Sequence, residues 1–521
     1  MSPSPSKIRW NLLAAFPWHV LFISLYAPLQ LGAHNIGQIP VSFIYRSVLV
    51  SGLLGIAILV VFWVFLRNRA TAGIAATLIL VLILSYGHVY HYIEDAQVGG
   101  FLIGRHRYLA LLWAALAVAG LTGVLRKSVR LASLASMLNT ITAILLVFPL
   151  IQLALYGVRS SQSRGLEVSA SPQSSVTQPV EVTSSEGLRD VYYIVLDAYG
   201  RSDDLMELFG YDNSTFLKRL RDMGFFVAEC SQSNYSKTDL SLSSSLNMEY
   251  VTALDPSLSP EKTDRLPLWN LIKNNAVKAA FEELGYTTIS FETGFDFSHF
   301  DNLDIFYTPP GRGFNEFEIL YLRTTLAVLL DEAGILARFH YTPEDRKREL
   351  IFFDLETLPE IPALPGPKFV FAHLVIPHQP FVFAANGDPL VIAERVNKGV
   401  TYYTQRDYEL GYRNQVIFIS DQIARVVQDI IQKSTIPPVI IIQGDHGPSH
   451  FGKRERMGIL NAYNFPDAEP AFYDTITPVN SFRLLFNTYF GTSRELLEDV
   501  SYYSEYPEAY RFESIPNRCN Q

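Results

Sequence analysis

The chain has 521 residues, more than one ordinary domain holds, and hydrophobic residues (49%) far outnumber charged ones (18%). A mean hydropathy of +0.14 points to a portion within a membrane. The net charge of −9 gives no general attraction to nucleic acid.

Charged residues almost vanish from long stretches of the first third. Ser47 to Leu66, Tyr108 to Leu125 and Leu131 to Val158 are uncharged, and Trp10 to Leu31 and Ala70 to Ile93 are long enough as well. Each is close to or above the roughly 20 apolar residues that a membrane-spanning helix needs. Residues 1–159 are therefore expected to form a membrane domain of about five spans. A signal peptide is the alternative for the first span, though it lacks a convincing small-residue cleavage site.

Lys7, Arg9, Arg67, Arg69 and the "RKSVR" loop (126–130) fall on one side of such a bundle. The other side holds Arg46, Arg105 and Arg107, diluted by Glu94 and Asp95. The positive-inside rule then puts the N-terminus in the cytoplasm and everything after residue 160 outside it. Residues 160–187 are rich in Ser, Thr, Gln and Pro, too polar to order themselves, and read as a linker.

Residues 188–521 change character. "VYYIVL" (191–196), "YTTISF" (286–291), "KFVFAHLVI" (368–376) and "PVIIIQ" (438–443) read as strands. Helical patterns occupy 214–223 and 268–284, and Val416, Ile419, Ile423, Val426 and Ile430 recur at helical spacing. Strands alternating with helices predict an α/β domain with a mostly parallel central sheet. In such sheets the positions just beyond the carboxyl ends of strands favour functional residues.

Asp197 and the Asp445–His446 pair occupy such positions. A lone Asp after a strand is more often a turn former or helix cap. An adjacent carboxylate and imidazole are more specific, since both ligate Zn or Mn. Gly444 and Gly447 allow a tight bend around them. In "SNYSKTDLSLSSS" (233–245) Thr238 opens a helix-like segment, with Lys237 adding positive charge; a plain helix cap is the bland reading. In "AHLVIPHQPF" (372–381) His378 stands on a loop able to reach a substrate, whereas His373 reads as a core histidine. Glu292, Asp296, Arg312 and Arg413 read as solvated surface charges. Cys230 and Cys519 have no metal-ligand spacing, and are equally an extracytoplasmic pair or two unrelated thiols.

Taken in order, these pieces resemble the sulfatase branch of the alkaline phosphatase superfamily over about residues 188–490. The resemblance is to its membrane-anchored members, the lipoteichoic acid synthases and lipid A phosphoethanolamine transferases. It rests on Asp197 in "IVLDAYG", Thr238 in "KTDLSLSSS", His378 in "H-x-P-F" and Asp445–His446 in "D-H-G". It implies one divalent ion (Mn, Zn or Mg) held by Asp197, Asp445, His446 and the Thr238 oxygen. Thr238 would be the nucleophile, and His378 would serve the leaving group or a phosphoryl oxygen. Lys237 and His450 would contact substrate.

The implied activity is a metal-dependent phosphoryl-group transferase of phosphoglycerol or phosphoethanolamine type. It would act from a membrane phospholipid donor to a glycan or lipid acceptor of the cell envelope through a phospho-threonine, in the plasma (inner) membrane with the catalytic domain on the extracytoplasmic side. The formylglycine motif C/S-x-P-x-R of true sulfatases has no counterpart, since "CSQSN" lacks both the Pro and the Arg. A second metal would draw on Asp407, His373 and His450; a single ion is preferred. The alternatives are a sulfatase-like hydrolase of phosphate or sulfate esters and a catalytically inactive, membrane-anchored anion-binding domain.

Overall fold

A computed structural model describes residues 16–36, 43–94, 96–98, 101–102, 104–126, 131–166, 187–298, 300, 302–310, 315–335, 343–392, 395–397, 400–517 and 519. The chain divides into two units, residues 1–161 with 312–343, and residues 162–311 with 344–521.

The first unit contains α1 (Trp18–His34), α2 (Ile44–Leu66), α3 (Arg69–Ile93), α4 (His106–Arg126) and α5 (Leu131–Leu166). Among the described residues four helices are long and apolar enough to cross a membrane: α2, α3, α4 and α5 as far as Gly157. The expected first span is described only from Phe16 onward, where it forms the 17-residue α1. Small residues let the first helices approach closely. A Cβ on Gly55 would lie 2.6 Å from the Ser24 hydroxyl, and one on Gly52 3.3 Å from Leu25. A buried bond between His19 Nδ1 and Thr77 Oγ1 (2.6 Å) joins α1 to α3. Most of the expected linker, residues 167–186, lies outside the described residues.

Residues 315–335 stand in the sequence between strands of the second unit, yet they pack with the helices of the first. Phe317 and Tyr321 cluster with Ile44, and Val328 clusters with Tyr86 and Leu109.

The second unit is built on a seven-stranded sheet. Its strands are β1 (Val191–Leu196), β2 (Phe226–Val227), β3 (Thr287–Phe291), β4 (Ile305–Tyr307), β5 (Lys368–Leu374), β6 (Val439–Gly444) and β7 (Asn461–Asn464). The order is β2-β7-β6-β1-β5-β3-β4. Strands β6, β1, β5, β3 and β4 run parallel; β7 runs antiparallel to β6, and the edge strand β2 antiparallel to β7. Alternation along the central strands feeds two cores. Tyr192, Ile194 and Leu196 enter one, with Ile440, Ile442, Val370 and Ala372. Val191, Tyr193 and Val195 enter the other, with Val439, Ile441, Phe369 and Phe371. Burial on both faces explains why these strands read as unbroken apolar runs. Helix α8 (Gln405–Lys433) covers the first face through Val416, Ile419, Ile423 and Ile430. The second face is covered in part by α6 (Thr238–Asn247) through Leu242 and Leu246, and by α9 (Pro478–Tyr489). The single helical stretch expected over 268–284 is two helices, Leu266–Lys273 and Ala276–Glu283, because Asn275 caps the second by accepting from Lys278 N.

Candidate active site

The sheet register builds the centre of the site. Gly444 of β6 pairs with Leu196 of β1, so the residues that follow, Asp445 and Asp197, leave adjacent strands at the same level. Leu196 also pairs with Leu374 of β5, and beyond it the chain returns so that His378 N donates to Asp197 O (3.0 Å). One oxygen each from Asp197 and Asp445 and one nitrogen from His446 lie within 4.8 Å of one another, all buried.

Backbone geometry is specialised here. Ala198 adopts a left-handed φ of 66°, a strained choice for a residue with a Cβ, and its N–H donates to Asp445 Oδ1 (2.9 Å). Tyr412 Oη holds the turn by donating to Ala198 O (2.7 Å) and accepting from Gly200 N (3.0 Å). Gly444 and Gly447 act by allowing close approach. A Cβ there would meet Tyr199 O at 2.5 Å and Glu455 O at 2.3 Å.

Two hydrogen bonds to Asp445 Oδ1, from Ala198 N and His446 N (2.9 Å), leave its Oδ2 free. Among the described residues, Asp445 Oδ2 and Asp197 Oδ1 are buried and accept no hydrogen bond. His446 Nδ1 bonds to Gly447 O (3.0 Å), which fixes the proton on Nδ1 in the neutral ring and leaves Nε2 as the donor atom for a cation. Two buried carboxylate oxygens and an unprotonated imidazole nitrogen within 4.8 Å of one another fit a divalent ion, since such oxygens are costly to bury without a partner. Burial and the charge of Asp197 push the Asp445 carboxyl up to about 7, with the Thr238 hydroxyl among the groups opposing the rise. For Asp197, burial works against ionisation, but the imidazoles of His378, His373 and His446 outweigh it and hold the group ionised. Burial and the Arg456 guanidinium keep His446 neutral.

Thr238 is the first residue of α6, and its Oγ1 lies 3.1 Å from His446 Nε2. The other residues expected at the site are placed variously. His378, half-buried, sets its ring centroid 6.4 Å from that of His446 and directs Nδ1 to Gln379 O (2.6 Å). Burial lowers its pKa, against the pull of Asp197. Lys237 caps the start of α6 but extends its ammonium over the Tyr506 ring (4.8 Å). His450 is exposed and stacks on Tyr408 (4.6 Å).

The set considered for a second ion is not brought together. Asp407 is taken by Thr404, whose Oγ1 donates to Asp407 Oδ2 (2.5 Å) and accepts from Asp407 N (3.2 Å). His373, read as a core residue, is buried but faces the site, with Nε2 3.5 Å from Asp197 Oδ2. Glu292, read as solvated, is buried at the end of β3 and paired with Arg346 (2.7 Å). Arg413 is exposed. The side chain of Asp296 and all of Arg312 lie outside the described residues.

Two basic residues at the site carry no signal in the sequence. Arg456, 9% exposed, directs Nη2 to His446 Nε2 (3.0 Å), Nη1 to Gly447 O (3.0 Å) and Nε to Ser236 O (2.9 Å). Lys347, on α7 (Pro343–Thr357), donates from Nζ to His378 O and to Pro380 O (2.8 Å), and burial lowers its pKa to about 7. Each lies in a run of charged residues, Arg346–Arg348 and Lys453–Arg456, that reads as ordinary surface.

No family model matches the sequence, and no curated protein matches it. Solved structures similar to the chain include the periplasmic domain of EptC from Escherichia coli in complex with Zn. It shares 11% identity at a TM-score of 0.41, over 65% of this chain and 94% of that one. The integral membrane lipooligosaccharide phosphoethanolamine transferase EptA from Neisseria meningitidis shares 13% identity at 0.36, over 86% and 88%. The phosphonate monoester hydrolase of Agrobacterium radiobacter shares 12% identity at 0.39, over 60% and 80%. The functional reading rests on the residues of the site.

Proposed function

We propose that the protein is a membrane-embedded, metal-dependent phosphoryl-group transferase of the sulfatase branch of the alkaline phosphatase superfamily. It moves a phosphoglycerol or phosphoethanolamine group from a phospholipid to a glycan or lipid acceptor of the cell envelope. The observation that carries this reading is the 3.1 Å contact between Thr238 Oγ1 and His446 Nε2, beside the unpartnered oxygens of Asp197 and Asp445.

Asp197, Asp445 and His446 would hold one divalent ion, with Thr238 Oγ1 as fourth donor, a set that suits Zn and does not exclude Mn or Mg. Such an ion supplies a lowered pKa for a hydroxyl at its side and so a nucleophile at neutral pH. Thr238 Oγ1 loses its proton and attacks phosphorus, forming Oγ–P as the P–O bond to diacylglycerol breaks. His378, its Nδ1 proton tied to Gln379 O, keeps Nε2 bare in the neutral ring, so it would first take the proton that Thr238 releases and then return it to the departing oxygen. Arg456, whose Nη2 reaches the same His446 nitrogen as Thr238 Oγ1, and the N-terminus of α6 would offset the charge on the phosphoryl oxygens. The acceptor hydroxyl then attacks phospho-Thr238, forming its own O–P bond and releasing the threonine hydroxyl, a ping-pong cycle.

The four apolar helices favour a lipid donor over a soluble ester. The Lys and Arg distribution and a disulfide between Cys230 and Cys519 support placing the α/β domain on the extracytoplasmic side of the plasma membrane. The test is mass spectrometry of the intact protein, supplied with Mn or Zn and incubated with phosphatidylglycerol and phosphatidylethanolamine. A phosphoglycerol or phosphoethanolamine increment on the Thr238 peptide is expected. Free headgroup release onto water, even with acceptor glycolipid present, would assign a hydrolase. A protein that takes up no divalent ion and an unmodified peptide would leave only an anchored binding domain.

A further inference from the structure

We propose that residues 315–335 are a re-entrant element sunk in one leaflet of the bilayer, with phospholipid acyl chains covering its outer face. The inference needs only that α2 and α3 span a membrane, and is independent of the chemistry proposed above.

The segment reads NEFEILYLRTTLAVLLDEAGI and contains two short helices, Glu316–Thr324 and Val328–Glu332. Several of its described polar groups are satisfied internally or by the spanning helices, while Arg323 is exposed. Asn315 and Glu318 form a reciprocal cap, Asn315 Nδ2 donates to Phe43 O (3.1 Å), and the Glu318 carboxylate pairs with Arg46. Tyr321 Oη meets Ser51 Oγ at 2.8 Å, and Leu326 N donates to Ile83 O (2.8 Å). Irregular backbone at membrane depth is tolerated only when protein buries it in this way. Gly87 makes room, for a Cβ there would stand 2.0 Å from Arg323 O.

The partners give the depth. Ser51 is seven residues beyond the start of α2 at Ile44, about 10 Å at 1.5 Å per residue. Ile83 is ten residues before the end of α3 at Ile93, about 15 Å. Half of a hydrocarbon core is also about 15 Å. The segment therefore runs alongside the apolar stretches of the spanning helices rather than capping their ends. Its inner face presents Phe317, Tyr321 and Val328 to the bundle. Its other side leaves Leu320 (36%), Leu326 (36%), Leu330 (44%) and Ile335 (37%) exposed, apolar like the exposed Leu49 and Leu53 of α2. An apolar face continuous with lipid-facing helices at this depth is matched by acyl chains and by nothing aqueous.

The test uses the full chain in lipid nanodiscs, carrying Leu330→Cys or, separately, Ile335→Cys, each labelled with a nitroxide. Cys230 and Cys519 are paired and do not take the label. Lys218→Cys, on an exposed helix of the second unit, is the aqueous reference. The 330 and 335 labels are expected to collide severalfold more with oxygen, relative to a water-soluble nickel chelate, than the 218 label. A ratio equal to that of the reference at both positions would overturn the proposal. Protection from both reagents would also overturn it, since another protein surface, not lipid, would then cover the face.

Discussion

The Thr238 hydroxyl and the His446 ring meet at 3.1 Å although 208 residues separate them in the chain. Arg456 Nη2 approaches the same nitrogen at 3.0 Å. One lone pair on Nε2 cannot serve both donors and a cation together. Under the proposed function His446 would turn that lone pair to an ion, and the Thr238 oxygen and the Arg456 guanidinium would then be free to meet the same phosphoryl group.

Thr238→Ala should therefore lose transfer by at least about a thousandfold, as removal of a nucleophile does, and should show no adduct at that peptide. Thr238→Ser keeps the hydroxyl and should retain both. Lipid turnover in Thr238→Ala within tenfold of the parent would remove the threonine from the mechanism.

Asp445 must be ionised to hold a cation, and burial beside Asp197 pushes its carboxyl up to about 7. Metal affinity should thus fall by about tenfold per pH unit below that point and level off above it. Calorimetry of Mn or Zn binding in buffers of different ionisation heat should show proton release rising as pH drops through 7. Binding without proton release at about pH 6 would contradict the assignment. Asp445→Asn should lose the ion.

Arg456→Lys keeps a positive charge but not the planar fork that reaches Ser236 O, Gly447 O and His446 together. Arg456→Ala is expected to lower transfer by about 10²–10³-fold, the usual loss for a charge-stabilising donor, and Lys to recover only part of it. Metal content, measured in parallel, should stay unchanged in Lys. Full transfer activity in Arg456→Ala would show that the guanidinium serves packing alone.

Lys347 fastens the His378 loop through the carbonyls of His378 and Pro380. Lys347→Met preserves bulk and removes the donors, so a kcat loss of up to about a hundredfold with little change in KM is expected from misplacement of His378. A loss in KM alone would point to a binding role.

Cys230 and Cys519 are joined across 289 residues, and Asn517 Nδ2 also donates to Cys230 O (2.7 Å). Cys230→Ser should destabilise the folded protein by about 2–5 kcal/mol, read as a lowered Tm that reducing agent reproduces in the parent and leaves unaltered in the variant. Equal melting of parent and variant would mean that this tail adds nothing to stability.

Much of the second unit was legible because its central strands are buried on both faces. "VYYIVL" coincides with β1, and "PVIIIQ" is displaced by one residue from β6. Strand β7, "NAYN", escaped because its polarity is offset by tertiary bonds. Asn461 Oδ1 accepts from Gln443 (2.9 Å), and Asn461 Nδ2 donates to Ser231 Oγ (3.0 Å). At the site, residues behind strand ends could be picked out by position, as with Asp197 and Asp445. His373 could not, since an imidazole within an apolar strand looks the same whether it faces core or carboxylate. Arg456 and Lys347 reach the site from segments whose local pattern is that of ordinary charged surface. The 315–335 helices alternate apolar and polar residues as any sheet-covering helix does, so nothing local told which partner they would choose.

That choice of partner bears on how such a protein can be taken apart. The polypeptide enters the helical unit, leaves it, returns at residue 312 and departs again at 343, so the two halves are stitched rather than hinged at one seam. Cutting at the Ser-rich stretch would leave residues 315–335 on the α/β piece and take them from the helices they pack against. Exchange of catalytic modules between anchors, by recombination or by a protein engineer, would have to carry that loop's receptacle along with it.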